Sequence, residues 1–254
     1  MRPTSETFRI GSVPYLNAVP LTHTLGPGVQ YLPPAQLARE LHGQRLDAAL
    51  LSITEIMGRP EYAVLDGASI SSDGPVYSVI LAHQDPLTAL GEVHLDPASC
   101  TSVNLLRVLL ASRGVTPRYR QLDDQAHAGR QRNVLLIGNP AIEFRRHSTT
   151  HHFWDLGAAW QELTGLPFVY AVWALRREPS PTLAAQLRAA QTAGMAALPE
   201  IIASRPEYDA AFRQAYLGGY IRYGLGPREK AGIHAFGEQM LRYTERTAVD
   251  LRFV

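Results

Sequence analysis

Short apolar runs that end in small or hydroxyl-bearing residues alternate along this chain with stretches whose apolar positions recur at helical spacing. The first unit sets the type. An apolar strand, Phe8 to Ile10, runs into Gly11, Ser12, Pro14 and Tyr15, and Asn17 then stands where a helix begins, Asn being a strong N-cap residue. In a parallel sheet such a bend lies at the carboxyl end of the strand, where open α/β folds bind ligands. A plain turn followed by a capped helix is the alternative reading of the same residues. Val29 to Leu32 reads as a second strand, and Pro33-Pro34 opens a helix whose Leu37, Ala38 and Leu41 share a face up to Gly43. Asp47 to Leu51 is a buried strand ending in Ser52, with Thr54 and Glu55 at the next bend. Tyr62 to Leu65 follows, then the polar turn Ser71 to Gly74 and the alternating run Val76 to Ala82. Ser78 sits inside that run, where a hydroxyl either bonds a neighbouring backbone group or faces a cleft. Burial without a partner costs about 1–3 kcal/mol.

A second α/β unit begins after the turn from Asp85 to Gly91. Val93 to Leu95 reads as a strand, and Asp96-Pro97-Ala98 leads to Ser99-Cys100-Thr101-Ser102 and a helix from Val103 to Ser112 with a broad apolar face. A helix start with that many hydroxyls suits a carboxylate or phosphate, although a capped helix with a polar surface has the same pattern. Tyr119 to Leu122 reads as a strand and residues 123–133 as a polar loop. Val134 to Ile137 is a buried strand, Gly138-Asn139-Pro140 another bend, and Ala141 to Arg146 a helix. Asp155 to Gly165 predicts a helix carrying Leu156, Trp160 and Leu163, and Phe168 to Trp173 is apolar enough for a central strand. The remainder is helical: Pro181 to about Ser204, Glu207 to Tyr216, a break at Gly218-Gly219, and Pro227 to Arg246, a tail that packs on the first lobe and to which no chemistry is assigned. This order describes two α/β lobes, the second inserted in the first: residues 1–84 and 174–254 form one and residues 85–173 the other. The bends at Ser12 to Asn17, Ser52 to Thr54, Ser99 to Ser102 and Gly138-Asn139, with Ser78, then face one interlobe cleft. Such a cleft is rich in neutral donors and suits a small, multiply acidic organic molecule.

Composition narrows the function classes. With a net charge of +1 over 254 residues, no basic field recruits nucleic acid or an anionic membrane. Cys100 is the single cysteine, which excludes an internal disulfide framework and a cysteine-rich zinc or iron–sulfur site. Lys230 is the only lysine and lies at a helix start, so neither a Schiff-base lysine nor a phosphate-loop lysine has a candidate. No apolar run reaches membrane-spanning length, and Met1 to Thr7 is polar, which leads to an expectation of a cytoplasmic protein. His147, His151 and His152 lack the spacing and the carboxylate of a metal site and read as a solvated polar turn; no metal is expected.

Several of these segments carry a family resemblance. Ser12-Val13-Pro14-Tyr15-Leu16-Asn17 with Pro20-Leu21, Ser78-Val79-Ile80-Leu81, Asp96 to Ser102, Leu136 to Ala141, and above all Asp155-Leu156-Gly157 through Trp160 to the run Thr164 to Trp173, resemble the chorismate dehydratase family of the futalosine route to menaquinone. The similarity runs from about residue 8 to 245. It implies a fold like the two-lobed type II periplasmic binding proteins, with the ligand in the cleft between lobes. It also implies that chorismate loses water to give 3-[(1-carboxyvinyl)oxy]benzoate, a reaction needing no metal or redox cofactor. Asn17 and Ser78 are then the residues nearest the reacting carbons, in donor and orienting roles. The base is the substrate's own side-chain carboxylate, with Glu55 as the protein alternative. Ser12, Tyr15, Ser52, Thr54, Ser99, Thr101, Ser102, Gly138 and Asn139 are the substrate-binding candidates. Among them Thr101 and Ser102 at their helix start, and Ser52 with Thr54, are assigned to the two carboxylates. The chain departs from the family where Cys100 replaces a basic residue and Asn139 an acidic one, which leaves room for a related substrate. The implied partner is the dicarboxylate itself, and a homodimer is compatible with the reading. Two other readings stand beside it: a cytoplasmic small-acid-binding protein of the same fold, and the sister enzyme of the pathway, whose active-site histidine finds no match here.

Overall fold

The computed structural model describes residues 7–97, 100–244 and 251–254; the candidate Ser99 lies outside them. The chain opens with β1 (Ile10–Ser12), α1 (Val19–Thr22), β2 (Val29–Tyr31), α2 (Pro34–His42), β3 (Ala48–Ser52), α3 (Ile53–Ile56) and β4 (Tyr62–Ser72). It then builds β5 (Val79–His83), β6 (Glu92–Leu95), α4 (Thr101–Ala111), β7 (Arg118–Gln121), β8 (Asn133–Ile137), α5 (Gly138–His147), β9 (His152–Asp155) and α6 (Leu156–Thr164). It returns through β10 (Phe168–Arg176) to the helical tail, α7 (Pro181–Ala196), α8 (Leu198–Ser204), α9 (Ala210–Ala215) with a π-helical continuation at Tyr216–Tyr220, and α10 (Pro227–Tyr243).

Two five-stranded sheets result, ordered β2-β1-β3-β10-β4 and β7-β6-β8-β5-β9. In the first, β1 runs parallel to β2 and β3, while β10 is antiparallel to both β3 and β4. In the second, β6 is parallel to β7 and β8, and β5 is antiparallel to β8 and β9. Strands buried on both faces read as continuous apolar runs. That is why Ala48 to Leu51 and Val172 to Leu175 occupy interior positions of the first sheet. A large core runs from the first sheet through Trp173, Phe168 and Trp160 to α4 and α10, with Trp160, Phe168 and Phe236 packed edge to face. The Trp160 indole N–H donates to the Pro167 carbonyl at 3.2 Å, so this large side chain is buried without stranding its donor.

The two-lobed layout expected from the sequence is present, with several local differences. Strands change sheet between Ser72 and Val79 and again between Asp155 and Phe168, earlier than residues 85 and 173, because an apolar run identifies a strand without identifying its neighbours. β4 continues to Ser72 rather than turning at Ser71, since the buried hydroxyls of Ser69, Ser71 and Ser72 find acceptors in the carbonyls of Gly224, Arg222 and Gly74. The backbone of Arg222 also pairs with Ser71, and Val254 and Arg252 pair with Val64, so the outer edge of β4 is covered. In the histidine segment His147, Thr149 and Thr150 are exposed, as a solvated turn predicts, but the turn ends on a buried residue. His151 is buried, with Nε2 against the Gln131 carbonyl at 2.8 Å and Nδ1 against Ser148 and Thr150, and His152 begins the edge strand β9.

Both crossings meet at one carboxylate. The chain leaves the first sheet through Val76 and Tyr77, the latter held at φ +67°, and Asp155 accepts from the N–H groups of both, at 3.1 and 2.7 Å. On the return it caps α6 by accepting from Gly157 and Ala158 N–H at 3.0 and 3.1 Å, with the Arg145 guanidinium 3.5 Å away. Gly157 is obligatory at this junction, since a Cβ there would lie 2.5 Å from the Gly74 carbonyl oxygen. A second close approach joins the opening unit to the tail: a Cβ on Gly194 of α7 would lie 1.7 Å from the Pro20 carbonyl oxygen of α1.

Two outcomes follow for stability. Asp155→Ala strands four backbone donors and is expected to cost about 3 kcal/mol in urea unfolding, from the lost cap and the unsatisfied N–H groups. Gly194→Ala, which on an exposed helix would gain about 0.5–1 kcal/mol, is instead expected to lose about 1–3 kcal/mol because α1 and α7 must separate; an unchanged midpoint would contradict that packing.

Candidate active site

The carboxyl ends of β1, β3 and β8 and the first turns of α4 and α5 surround a cleft between the two sheets. Its empty space, open solvent at the mouth included, is about 670 Å³. Asn17, Ser52, Ser78, Thr101, Ser102 and Tyr170 supply its polar lining; Val13, Leu50, Ile70, Val76, Val79 and Ile137 are among its apolar lining. Among the described residues, no Arg, Lys, His, Asp or Glu side chain lines it.

β1 ends at Ser12, and the following segment places Tyr15 and Asn17 on the cleft wall. Asn17 does not cap a helix: it lies within the 3-10 turn Leu16–Ala18, and Tyr15 precedes that turn. A short turn gives its amide no N–H to accept from, so Asn17 Oδ1 is buried with no protein partner. Ser12 is fully buried behind this wall, its hydroxyl also unpartnered, and does not line the cleft. Burial pushes the Tyr15 phenol up, and the charge of Asp96 adds to the effect.

Thr101 and Ser102 form the first turn of α4, which begins two residues before the helix start at Val103 expected from the sequence, with Cys100 as N-cap. Cys100 makes no side-chain cap bond to this turn. Thr101 crosses the cleft to the first lobe. Its Oγ1 lies 2.9 Å from Thr54 Oγ1, accepts from Thr54 N–H at 3.3 Å and hydrogen-bonds Ser52 Oγ. Two carboxylate grips expected at separate places are thus one hydroxyl cluster spanning the lobes. Ser52 and Thr101 line the cleft, while Thr54 stands behind them.

α5 begins at Gly138 itself, whose φ of +61° favours glycine and whose N–H donates to the Ser78 carbonyl at 2.8 Å. Gly138 lines the cleft; Asn139 and Glu55 do not. Ser78 precedes β5 instead of lying within it, because Tyr77 takes a left-handed conformation just before. That conformation turns the Ser78 hydroxyl toward the cleft, where it answers the question its apolar surroundings raised.

Three contributors were not identified from the sequence. Tyr216, from the tail to which no chemistry was assigned, donates its hydroxyl to Ser78 Oγ at 2.8 Å. Burial pushes its phenol far up, which the bonds to Ser78 and Asn17 partly offset. Tyr170 of β10 lines the cleft with its hydroxyl 3.2 Å from Ser72 Oγ, and burial followed by the Asp155 charge holds that phenol well above its ordinary value. Asp96 is buried below the cleft, accepting from the Gln125 amide at 2.9 Å and from Ile137 N–H at 3.3 Å. Tyr216 and Ser78 are 138 residues apart, so no local pattern announces the contact. The chemistry open to this site is donation and orientation: neutral hydroxyls and amides, and two helix starts whose dipoles favour anionic groups.

Comparison with known proteins follows the same outline. Among solved structures, protein AF1704 of Archaeoglobus fulgidus superposes with a TM-score of 0.74 at 15% identity, covering 94% of this chain and 98% of its own. The alkanesulfonate-binding protein SsuA of Xanthomonas axonopodis pv. citri gives 0.67 at 14% identity, covering 93% and 91%. These likenesses show the fold, that of a periplasmic-type binding protein. In sequence, the chorismate dehydratase of Thermus thermophilus is 34% identical over 94% of this chain and 96% of its own length. That of Campylobacter jejuni is 29% identical over 62% and 58%. A family model described as menaquinone biosynthesis matches residues 8–241. With nearly its whole length matched by that model and by a full-length relative, the chain belongs to the menaquinone-biosynthesis family that includes the chorismate dehydratases.

Proposed function

We propose that this protein is a chorismate dehydratase, a hydro-lyase that eliminates water from chorismate to give 3-[(1-carboxyvinyl)oxy]benzoate, and that it serves the futalosine route to menaquinone in the cytoplasm. One observation carries the reading to mechanism: Asn17, Ser78 and the Thr101 hydroxyl cluster share a cleft lined by no ordinary acid or base among the described residues. Removing the ring hydroxyl together with the hydrogen on the adjacent ring carbon turns a cyclohexadiene into a benzene, so aromatisation supplies the driving force. The site then has to hold a dianion, orient it and let one proton move.

Holding falls to the helix starts. The first turn of α4, with Thr101, Ser102 and Ser52, takes one carboxylate, and the start of α5 at Gly138 favours negative charge on the opposite side. Asn17 and Ser78 stand at the reacting carbons and donate to the charge that develops on the ring carboxylate or on the departing hydroxyl. Glu55 lies off the cleft lining. The proton therefore passes to the substrate's own side-chain carboxylate, which folds over the ring, and leaves with the hydroxyl as water.

The direct test is to mix purified protein with chorismate and follow the aromatic product in the ultraviolet. Conversion supports the proposal, whereas binding without conversion supports a small-acid-binding protein. The Asn17→Ala, Ser78→Ala double variant is expected to lose at least about a hundredfold in kcat; wild-type turnover would remove both residues from catalysis. The pH profile gives an independent check. Tyr15 and Tyr170 are held protonated by burial, and the substrate carboxylates ionise well below neutrality, so kcat is expected to stay flat from about pH 6 to 8. It should fall only in acid, as the substrate carboxylate that accepts the proton is lost; a bell centred near neutrality would point to a histidine or a protein carboxylate instead.

A further inference from the structure

We propose that Tyr216 is a positioning residue for this dehydration: by donating to Ser78 Oγ, it commits the hydrogen of Ser78 to the cleft, where the substrate's departing hydroxyl or ring carboxylate receives it. The inference rests on the proposed function and adds a residue to its machinery.

A serine hydroxyl has one hydrogen and two acceptor positions, and left alone it rotates to whichever neighbour is best. Here the rest of Ser78 is fixed. Its N–H donates to the Val76 carbonyl and its carbonyl accepts from Gly138 N–H, both at 2.8 Å. The Tyr216 hydroxyl donates to Ser78 Oγ at 2.8 Å, so the serine's own hydrogen is left for another acceptor. Tyr216 cannot easily exchange roles with it. The phenol is buried within the tail, stacked on Phe212 at 5.6 Å with the rings 12° apart, and aimed at the serine. Burial also keeps it protonated throughout the neutral range. A chain of two hydroxyls ending at the ligand polarises each link and makes the terminal donor stronger than a free serine.

The local backbone supports a functional placement. Tyr216 is the first residue of the π-helical segment Tyr216–Tyr220. Such segments insert an extra residue into a helix, rotate the side chains that follow and recur at functional sites. The Gly218-Gly219 pair that reads as a break in the sequence lies inside this segment.

The test is Tyr216→Phe, which keeps the ring and its stacking on Phe212 and removes only the donor. On chorismate we expect kcat to fall about tenfold or more, below the effect of deleting a direct donor, with KM changed less than about threefold, since the carboxylate-binding turns are untouched. In a Ser78→Ala background the same substitution is expected to change kcat by less than about twofold, because the hydroxyl it orients is gone. Wild-type kcat in Tyr216→Phe, or an equal loss in both backgrounds, overturns the assignment. If Ser78→Ala is too slow to read, the split between kcat and KM in Tyr216→Phe decides, and parallel changes in both count against it. Failure of the wild-type protein to convert chorismate would remove the proposed function and this inference together, whereas turnover indifferent to Tyr216→Phe removes the inference alone.

Discussion

Four backbone N–H groups converge on the carboxylate of Asp155, two from the segment leaving the first sheet and two from the helix that precedes the return. Few single groups in the molecule constrain so much. Where a chain crosses between lobes, its backbone leaves the hydrogen-bonding ladder of one sheet before joining that of the other, and the donors in between must be satisfied inside the protein. Asp155 satisfies them from the far crossing, so the two connections are fixed relative to each other. That same junction sets Tyr77 in its left-handed conformation and thereby aims Ser78 into the cleft.

On the proposed function, the cleft addresses an anion without a formal cation among its described lining residues. Burying a charged partner for each carboxylate would incur a desolvation cost of several kcal/mol per ion, recovered only with ideal pairing. Oriented N–H groups and hydroxyls are already desolvated by the fold and need no counter-ion when the ligand departs. The cluster of Ser52, Thr54 and Thr101 adds a second property: it joins residues of both lobes, so Ser52 and Thr101, whose hydroxyls belong to residues lining the cleft, also register one lobe against the other.

Much of this was legible in the chain. The two-lobed α/β layout followed from apolar runs alternating with helical periodicity, and the cleft lining at Asn17, Ser52, Ser78, Thr101, Ser102 and Gly138 followed from polar bends after those runs. Boundaries were less legible, for particular reasons. Ser71 and Ser72 read as a turn because their acceptors, the carbonyls of Arg222 and Gly74, include one supplied by a segment 151 residues away. His151 read as solvated because its burial depends on the Gln131 carbonyl and on packing against Phe144. Asn17 read as a cap because Asn favours that position, yet the 3-10 turn around it leaves its carbonyl oxygen for something else. Tyr216 is the clearest limit: its identity is in the sequence, but its partner is fixed only by the tertiary fold.

The contact of Gly194 with the Pro20 carbonyl has a consequence for how such proteins diverge. Pro20 follows Asn17 by three residues, so the placement of that amide depends on a helix none of whose residues lines the cleft. Selection for a differently shaped substrate therefore has two routes, replacing the groups on the wall or shifting the wall from behind. Only the second leaves every ligand-facing residue unchanged, and comparing cleft residues alone between two such enzymes would miss it.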